Sequence, residues 1–385
     1  MTINAPKGFR AAGVAAGIKE NGNKDLTIVV NDGPLDVAAG VFTRNKVKAA
    51  PVLWSQQVLA TGRVKAVVLN SGGANACTGP EGFQDTHATA EHVAETLGIG
   101  AIDVAVCSTG LIGARLPMDK LKAGVTAAAA RLAGTEEAGI DAATAVMTTD
   151  SVPKHAASVQ DGWALGGFAK GAGMCAPNMA TMLSVITTDA VLDQSDVDAA
   201  LRAAVNVTFN ALDIDAGTST NDTVLLLCSG ASDREVPVEE FTAALTGLCR
   251  DLVAQLQADA EGVTKHVTVT VRGAVSDADA AVAARTVARD NLCKTAFFGS
   301  DPNWGRVAMA VGNAPVEFDP TRLDITINGV VVCAAGAAGE DRSKADLSGR
   351  DITVEIDLRA GPGSATVLTT DLSHGYVEEN SAYSS

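Results

Sequence analysis

Short β-branched runs recur along the chain, separated by stretches of helical spacing. That alternation restricts the fold to sheets with helices packed on them. LTIVV (26–30), KAVVLN (65–70) and DVAVC (103–107) have strand character. After the second, Asp85 reads as the N-cap of a helix that runs to Leu97 and stops at Gly98. Pro117 opens an alanine-rich helix closed by Gly134, and GTEEAG (134–139) reads as a surface loop. In the second half, MLSVIT (182–187) and TVLLLC (223–228) read as buried strands. Phe241, Leu245, Leu248, Leu252 and Leu256 recur three and four apart, one apolar face of a helix within 236–260. HVTVTVRG (266–273) alternates like a half-exposed strand, and SDADAAVAARTVARDN (276–291) reads as a capped helix. ITVEIDL (352–358), a GPG turn and SATVLTTD (364–371) together read as a hairpin. The expected class is α/β or α+β, with 385 residues allowing two domains or one large layered domain.

Composition narrows the function. Net charge is −16, from 29 basic against 45 acidic residues, and aromatics make up 4%. A nucleic-acid groove needs clustered Lys and Arg and stacking rings, so that class is set aside. No apolar run is long enough to span a bilayer, and MTINAPKGFRAAGVAAGIKE lacks the apolar core of a signal peptide. The expectation is a cytoplasmic protein. Seven dispersed cysteines with no C-x-x-C pair fit reduced thiols.

Familiar cofactor and metal signatures fail one by one. There is no G-x-x-x-x-G-K-[ST] and no clean G-x-G-x-x-G opening a helix. RAAGVA (10–15) fits the loose R-x-x-G-x-A pattern of a class of CoA-dependent acetyltransferases, but a match this short is what chance supplies. His87 and His92, five apart, splay on a helix instead of aligning as ligands, and G-x-S-x-G is absent. No metal and no cofactor is expected.

The segment KGAGMCAPNMATMLSVITTDA (170–190) carries more chemistry. Gly171, Gly173 and Pro177 can force a constrained turn before the apolar run. Thr181 follows small Ala180 at the mouth of that run. A Thr181 hydroxyl held against the Ala180 carbonyl can attack it, an N-to-O acyl shift. Hydrolysis then cuts the chain and leaves an α-amine, whose usual pKa of about 7.7–8.0 suits a general base. One residue thus supplies nucleophile and base.

KGAGMCAPNMATML, NSGGANACTG (70–79), STGLIG (108–113), MTTD (147–150), STNDT (219–223), AEGVTK (260–265), DPNWGR (301–306) and ENSAYSS (379–385) extend over nearly the whole chain. In that order they resemble the glutamate N-acetyltransferase, or ornithine acetyltransferase, family of arginine biosynthesis. The resemblance implies self-cleavage at Ala180–Thr181 into chains 1–180 (α) and 181–385 (β). It further implies a ping-pong transfer of acetyl from N2-acetylornithine to glutamate through an acetyl-Thr181 ester, some members also accepting acetyl-CoA. Thr109 and Gly110 match the family's oxyanion-hole pair. Thr148, Lys170, Thr181, Glu261, Asn380 and Ser385 match its substrate-binding positions.

The implied fold is a layered α-β-β-α sandwich, similar to N-terminal nucleophile hydrolases but differently connected, with a smaller C-terminal domain. The implied assembly is α2β2. Lys170 is assigned to a substrate carboxylate and Glu261 to the ornithine ammonium. The motifs leave open whether Asp150, Asn221, Asp222 and Arg306 meet substrate or brace loops. The rival readings are a self-cleaving aminopeptidase of the same scaffold and a non-catalytic binding protein.

Overall fold

The computed structural model describes residues 1–176 and 182–382. Ala180, Thr181 and Ser385 therefore lie outside the described residues. The chain divides into two compact units. The first takes in residues 1–210 and 217–256, and the second residues 211–216 and 257–384.

The first unit opens with β1 (Phe9–Val14), β2 (Leu26–Asn31), β3 (Val37–Phe42) and α1 (Ala50–Leu59). It continues through β4 (Ala66–Ser71), α2 (Gly79–Leu97), β5 (Val104–Thr109), α3 (Met118–Ala129) and α4 (Glu136–Ala145). β6 (Lys154–Val159), β7 (Ala164–Lys170), β8 (Leu183–Thr188), α5 (Gln194–Asn206), β9 (Thr223–Cys228) and α6 (Val238–Ala258) follow.

These strands make two sheets, β1-β2-β4-β5 and β3-β9-β8-β7-β6. Both contribute to one hydrophobic core, Ile28, Val67 and Val106 from one and Phe168, Val185 and Leu225 from the other. The parallel pairs β4–β5 and β8–β9 are buried along their whole length, as continuous apolar runs require.

The second unit holds β10 (His266–Ala274), α7 (Asp277–Arg289), α8 (Asn291–Phe298) and α9 (Trp304–Gly312). Then come β11 (Asp324–Ile327), β12 (Val330–Ala334), β13 (Ala337–Ala338), β14 (Asp351–Asp357), β15 (Gly363–Thr370) and α10 (His374–Ala382). Its six strands run in the order β13-β12-β11-β14-β10-β15. Val267, Val269 and Val271 on the inner face of β10 pack with Ala280, Ala284 and Val287 of α7.

Four expectations are corrected. The 352–371 segment is no hairpin: β10 lies between its strands, parallel to β14 and antiparallel to β15. The helix placed at Asp85 starts at Gly79, and Asp85 is instead a buried residue within it whose carboxylate accepts two bonds from Arg115 at 2.7 and 2.9 Å. The helix after Pro117 ends at Ala129, well before Gly134. GTEEAG is not a loop, because the Thr135 side chain accepts from Ala138 N–H and caps α4, with Glu136 and Glu137 in its first turn. The RAAGVA stretch belongs to β1, where Arg10 pairs with Asp32.

Candidate active site

In the first unit the site is built on the carboxyl ends of two adjacent parallel strands. Ser71 ends β4 beside Thr109, which ends β5. The loops that follow are laced together: Gly73 N–H donates to Thr109 O at 3.0 Å and Ala74 N–H to Leu111 O at 2.9 Å. Gly110 sits at φ +125°, and a Cβ there would lie 2.6 Å from Gly73 N and 2.7 Å from Gly72 C. Backbone on backbone at that distance admits only glycine. Asn221 closes the brace, donating to Ala74 O at 2.6 Å and Ser108 O at 2.8 Å. Asn221 is thus a loop brace. So is Arg306, whose guanidinium reaches Leu292 O at 2.8 Å and the Thr295 hydroxyl at 3.2 Å.

A buried charge cluster lies behind this rim. Lys170 ends β7, is 1% exposed, and donates from Nζ to Thr109 Oγ1 at 3.0 Å. Lys170 is therefore a buried lysine, not a solvated one. Lys154, opening β6, is equally buried and donates to Asp150 Oδ1 at 2.6 Å. The same Asp150 oxygen accepts Gly171 N–H at 2.7 Å, and its other oxygen accepts Thr148 N–H at 3.0 Å. One carboxylate therefore ties the Thr148 segment to the turn after Lys170.

Burial alone pushes the Asp150 carboxyl up. The charges of Lys170 and Lys154 and the Lys154 and Thr148 hydrogen bonds outweigh it, holding the group down at about 2. Burial also lowers Lys170, opposed chiefly by Asp150.

Asp222 completes the cluster. Its Oδ1 accepts Met182 N–H at 3.0 Å, which anchors the chain at the start of β8. Its Oδ2 is buried without a hydrogen bond of normal geometry from the described residues, although the Thr43 and Ser219 hydroxyls lie near enough to favour the charged carboxylate. Burial pushes this carboxyl well above its ordinary value, against the pull of Met182 N–H and Lys170. The motif reading left the roles of Asp150 and Asp222 open and missed Lys154 entirely. Asp150 and Lys154 stand four apart, a spacing that reads as a surface pair until the burial is known.

In the second unit, Glu261 and Asn380 meet: Asn380 Nδ2 donates to Glu261 Oε2 at 2.8 Å and to Tyr376 O at 3.0 Å. Gly262, at φ +60°, has Tyr376 N 2.0 Å from where a Cβ would sit. Asp371 accepts the N–H groups of Thr264 and Lys265, both at 2.9 Å. These bonds tie α10 to the turn at Glu261 within the second unit. Thr109, Gly110, Thr148 and Lys170 belong to the first unit and Glu261 and Asn380 to the second.

His87 faces the Trp54 ring, and His92 Nε2 lies 3.0 Å from Lys122 O, so both have structural partners. Among the described residues no group of three His, Cys, Asp or Glu side chains could hold a metal ion. No helix of the described residues is long and apolar enough to cross a membrane.

The model of the ArgJ family matches residues 10–385. The arginine biosynthesis bifunctional protein ArgJ of Mycolicibacterium paratuberculosis is 63% identical, over 100% of this chain and 96% of its own length. The protein of the same description from Thermobifida fusca is 57% identical over the full length of both. A crystal structure of ornithine acetyltransferase complexed with ornithine, from Mycobacterium tuberculosis, matches 46% of this chain and 94% of its own, with 65% identity and a TM-score of 0.45. The chain belongs to the ArgJ family and is an enzyme of arginine biosynthesis, the bifunctional ornithine acetyltransferase and glutamate N-acetyltransferase.

Proposed function

We propose that the chain cuts itself at Ala180–Thr181 and then carries acetyl from N2-acetylornithine to glutamate on the Thr181 hydroxyl. Thr181 Oγ1 attacks the acetyl carbonyl, and the C–N bond breaks as ornithine leaves with a proton. The glutamate amine then attacks the ester, the acyl C–O bond to Thr181 breaks as Oγ1 takes back a proton from the amine, and N-acetylglutamate departs. Thr109 and Gly110 supply hydroxyl and N–H to the oxyanion in both steps, each such donor typically contributing about 3–4 kcal/mol. Acetyl-CoA serves as a second acetyl donor. Thr148, Glu261, Asn380 and Ser385 hold the amino-acid substrates.

The observation that carries this reading is the convergence of a glycine-only loop at Gly110, the Thr109 hydroxyl and a buried ammonium. Support also comes from Asp222, which grips the N–H of Met182, the residue after the proposed nucleophile. The shared core of the two sheets in the first unit supports the α-β-β-α layering. An α2β2 assembly and a cytoplasmic setting belong to the same proposal. Denaturing electrophoresis with N-terminal sequencing tests the cut: two fragments are expected, one beginning at Thr181. Thr181→Ala should remain one chain and transfer no acetyl. A full-length, active wild-type protein would overturn the mechanism. Acetyl release from acetylornithine at full rate without glutamate would replace transfer by hydrolysis.

A further inference from the structure

We infer that Lys170 acts on the reaction through Thr109, its ammonium occupying the acceptor side of the Thr109 hydroxyl so that the hydroxyl proton is left for the oxyanion. This deepens the proposed role of Thr109 and rests on it. The direction of the 3.0 Å bond is not ambiguous, because a lysine ammonium has three donors and no acceptor. A hydroxyl has one proton and two lone pairs. With a lone pair committed to a cation, its own proton becomes the better donor, by the cooperativity of linked hydrogen bonds.

The bond is also held in place. Lys170 stands opposite Leu183 in the β7–β8 ladder, and its side chain is closed off from water. The groups whose charges act on it are Asp150, Cys175, Lys154, Asp222 and, from the N-terminal segment, Lys19. Asp150 is the strongest of the favourable influences and is itself held by Thr148 N–H, Gly171 N–H and Lys154. A line of charge and hydrogen bonds thus runs from Asp150 through Lys170 to the Thr109 hydroxyl. Lys170 is on this view a positioning residue, and its assignment to a substrate carboxylate gives way.

The test is a double-mutant cycle on the full chain with Lys170→Met, Thr109→Ala and both together. Two rates are read, first-order self-cleavage and acetyl transfer by the cleaved enzyme, together with the Kd of ornithine and of glutamate by calorimetry. Thr109→Ala should lower both rates by about 10²-fold, the usual loss for one oxyanion donor. Lys170→Met should lower them by about tenfold or more, yet cost under about threefold once Thr109 is already Ala, because groups acting as a unit are not additive. Both Kd values should stay within about twofold of wild type. Thr109→Ser, which keeps the hydroxyl, should retain the dependence on Lys170.

Independent, multiplying losses, or Kd values raised about tenfold by Lys170→Met alone, overturn the inference in favour of direct carboxylate binding. Wild-type protein assayed alongside separates this from failure of the parent reading. If wild type is cut and active while the losses multiply, only the Lys170 inference falls. If wild type is neither cut nor active, the proposed function falls with it.

Discussion

The loop after β5 and the loop after α6 each carry motif residues, yet they are built on opposite principles. Around Thr109 and Gly110 the loops are locked backbone to backbone, and behind them two lysines and two aspartates are buried. Around Glu261 the contact is one side-chain bond from an exposed asparagine on the C-terminal helix. A developing oxyanion rewards donors that need no reorganisation when charge appears. A flexible amino-acid side chain is better served by groups that can adjust. The first region should therefore answer to mutation in both stability and rate, the second chiefly in affinity.

The sharpest break in that contrast would come from Asp150→Asn, which removes the carboxylate charge that acts on two buried lysines. We expect a loss of about 3–5 kcal/mol in urea unfolding, in line with removal of one member of a buried ion cluster. The same carboxylate sets an acid limit. Its folded value, about 2 against an ordinary 3.8, makes it a depressed group, so its contribution is present above pH 4 and fades as pH falls from about 4 through 2. That contribution is about 2 kcal/mol, visible as a wild-type stability drop in this window that Asp150→Asn lacks.

Gly110→Ala comes next. The added methyl meets backbone at 2.6 Å, so we expect about 2–4 kcal/mol lost and transfer reduced by about 10²-fold, read from thermal unfolding and kcat. Asn221→Ala, which releases two carbonyls of the braced loops, should cost about 1–3 kcal/mol and leave the Kd of ornithine nearly unchanged. Glu261→Gln is the counter-test in the second region. Unfolding should move by less than about 0.5 kcal/mol, while the Kd of ornithine rises about tenfold, as loss of one charge-assisted bond predicts. A large stability loss there would erase the contrast.

How much of this could be seen beforehand depended on how local the cause was. MLSVIT and TVLLLC announce their strands because every residue faces apolar neighbours, and the 3–4 spacing of Phe241 through Leu256 announces α6. β3 (VAAGVF) and most of β7 (ALGGFAK) are made of small residues with little β-branching, and the chain shows them as strands only through their partners. The false hairpin had the right two strands and the wrong neighbour, since β10, whose His266 pairs with Asp351, comes from far upstream and nothing local announces it. The motif residues Thr109, Gly110 and Lys170 were named from the sequence, but a lysine 1% exposed and bonded to the Thr109 hydroxyl is a tertiary fact. Thr135 shows the reverse failure: the cap and the two glutamates were in view, and the run of turn-forming letters obscured them.

The strand order β3-β9-β8-β7-β6 bears on what a cut after residue 180 does to the molecule. β8 and β9 then belong to the new C-terminal chain, while β3 on one side and β7 and β6 on the other belong to the N-terminal one. Halves severed there would be interleaved, two strands of one clasped between strands of its sister, with antiparallel ladders at both seams. Separation would tear two rows of backbone bonds and expose four raw sheet edges, so such a scission would act as a chemical edit within a finished object. The halves should stay together through dilution and chromatography and part only on denaturation. Produced separately, each would carry unpaired edges that invite aggregation, which makes the uncut chain the form that has to fold first.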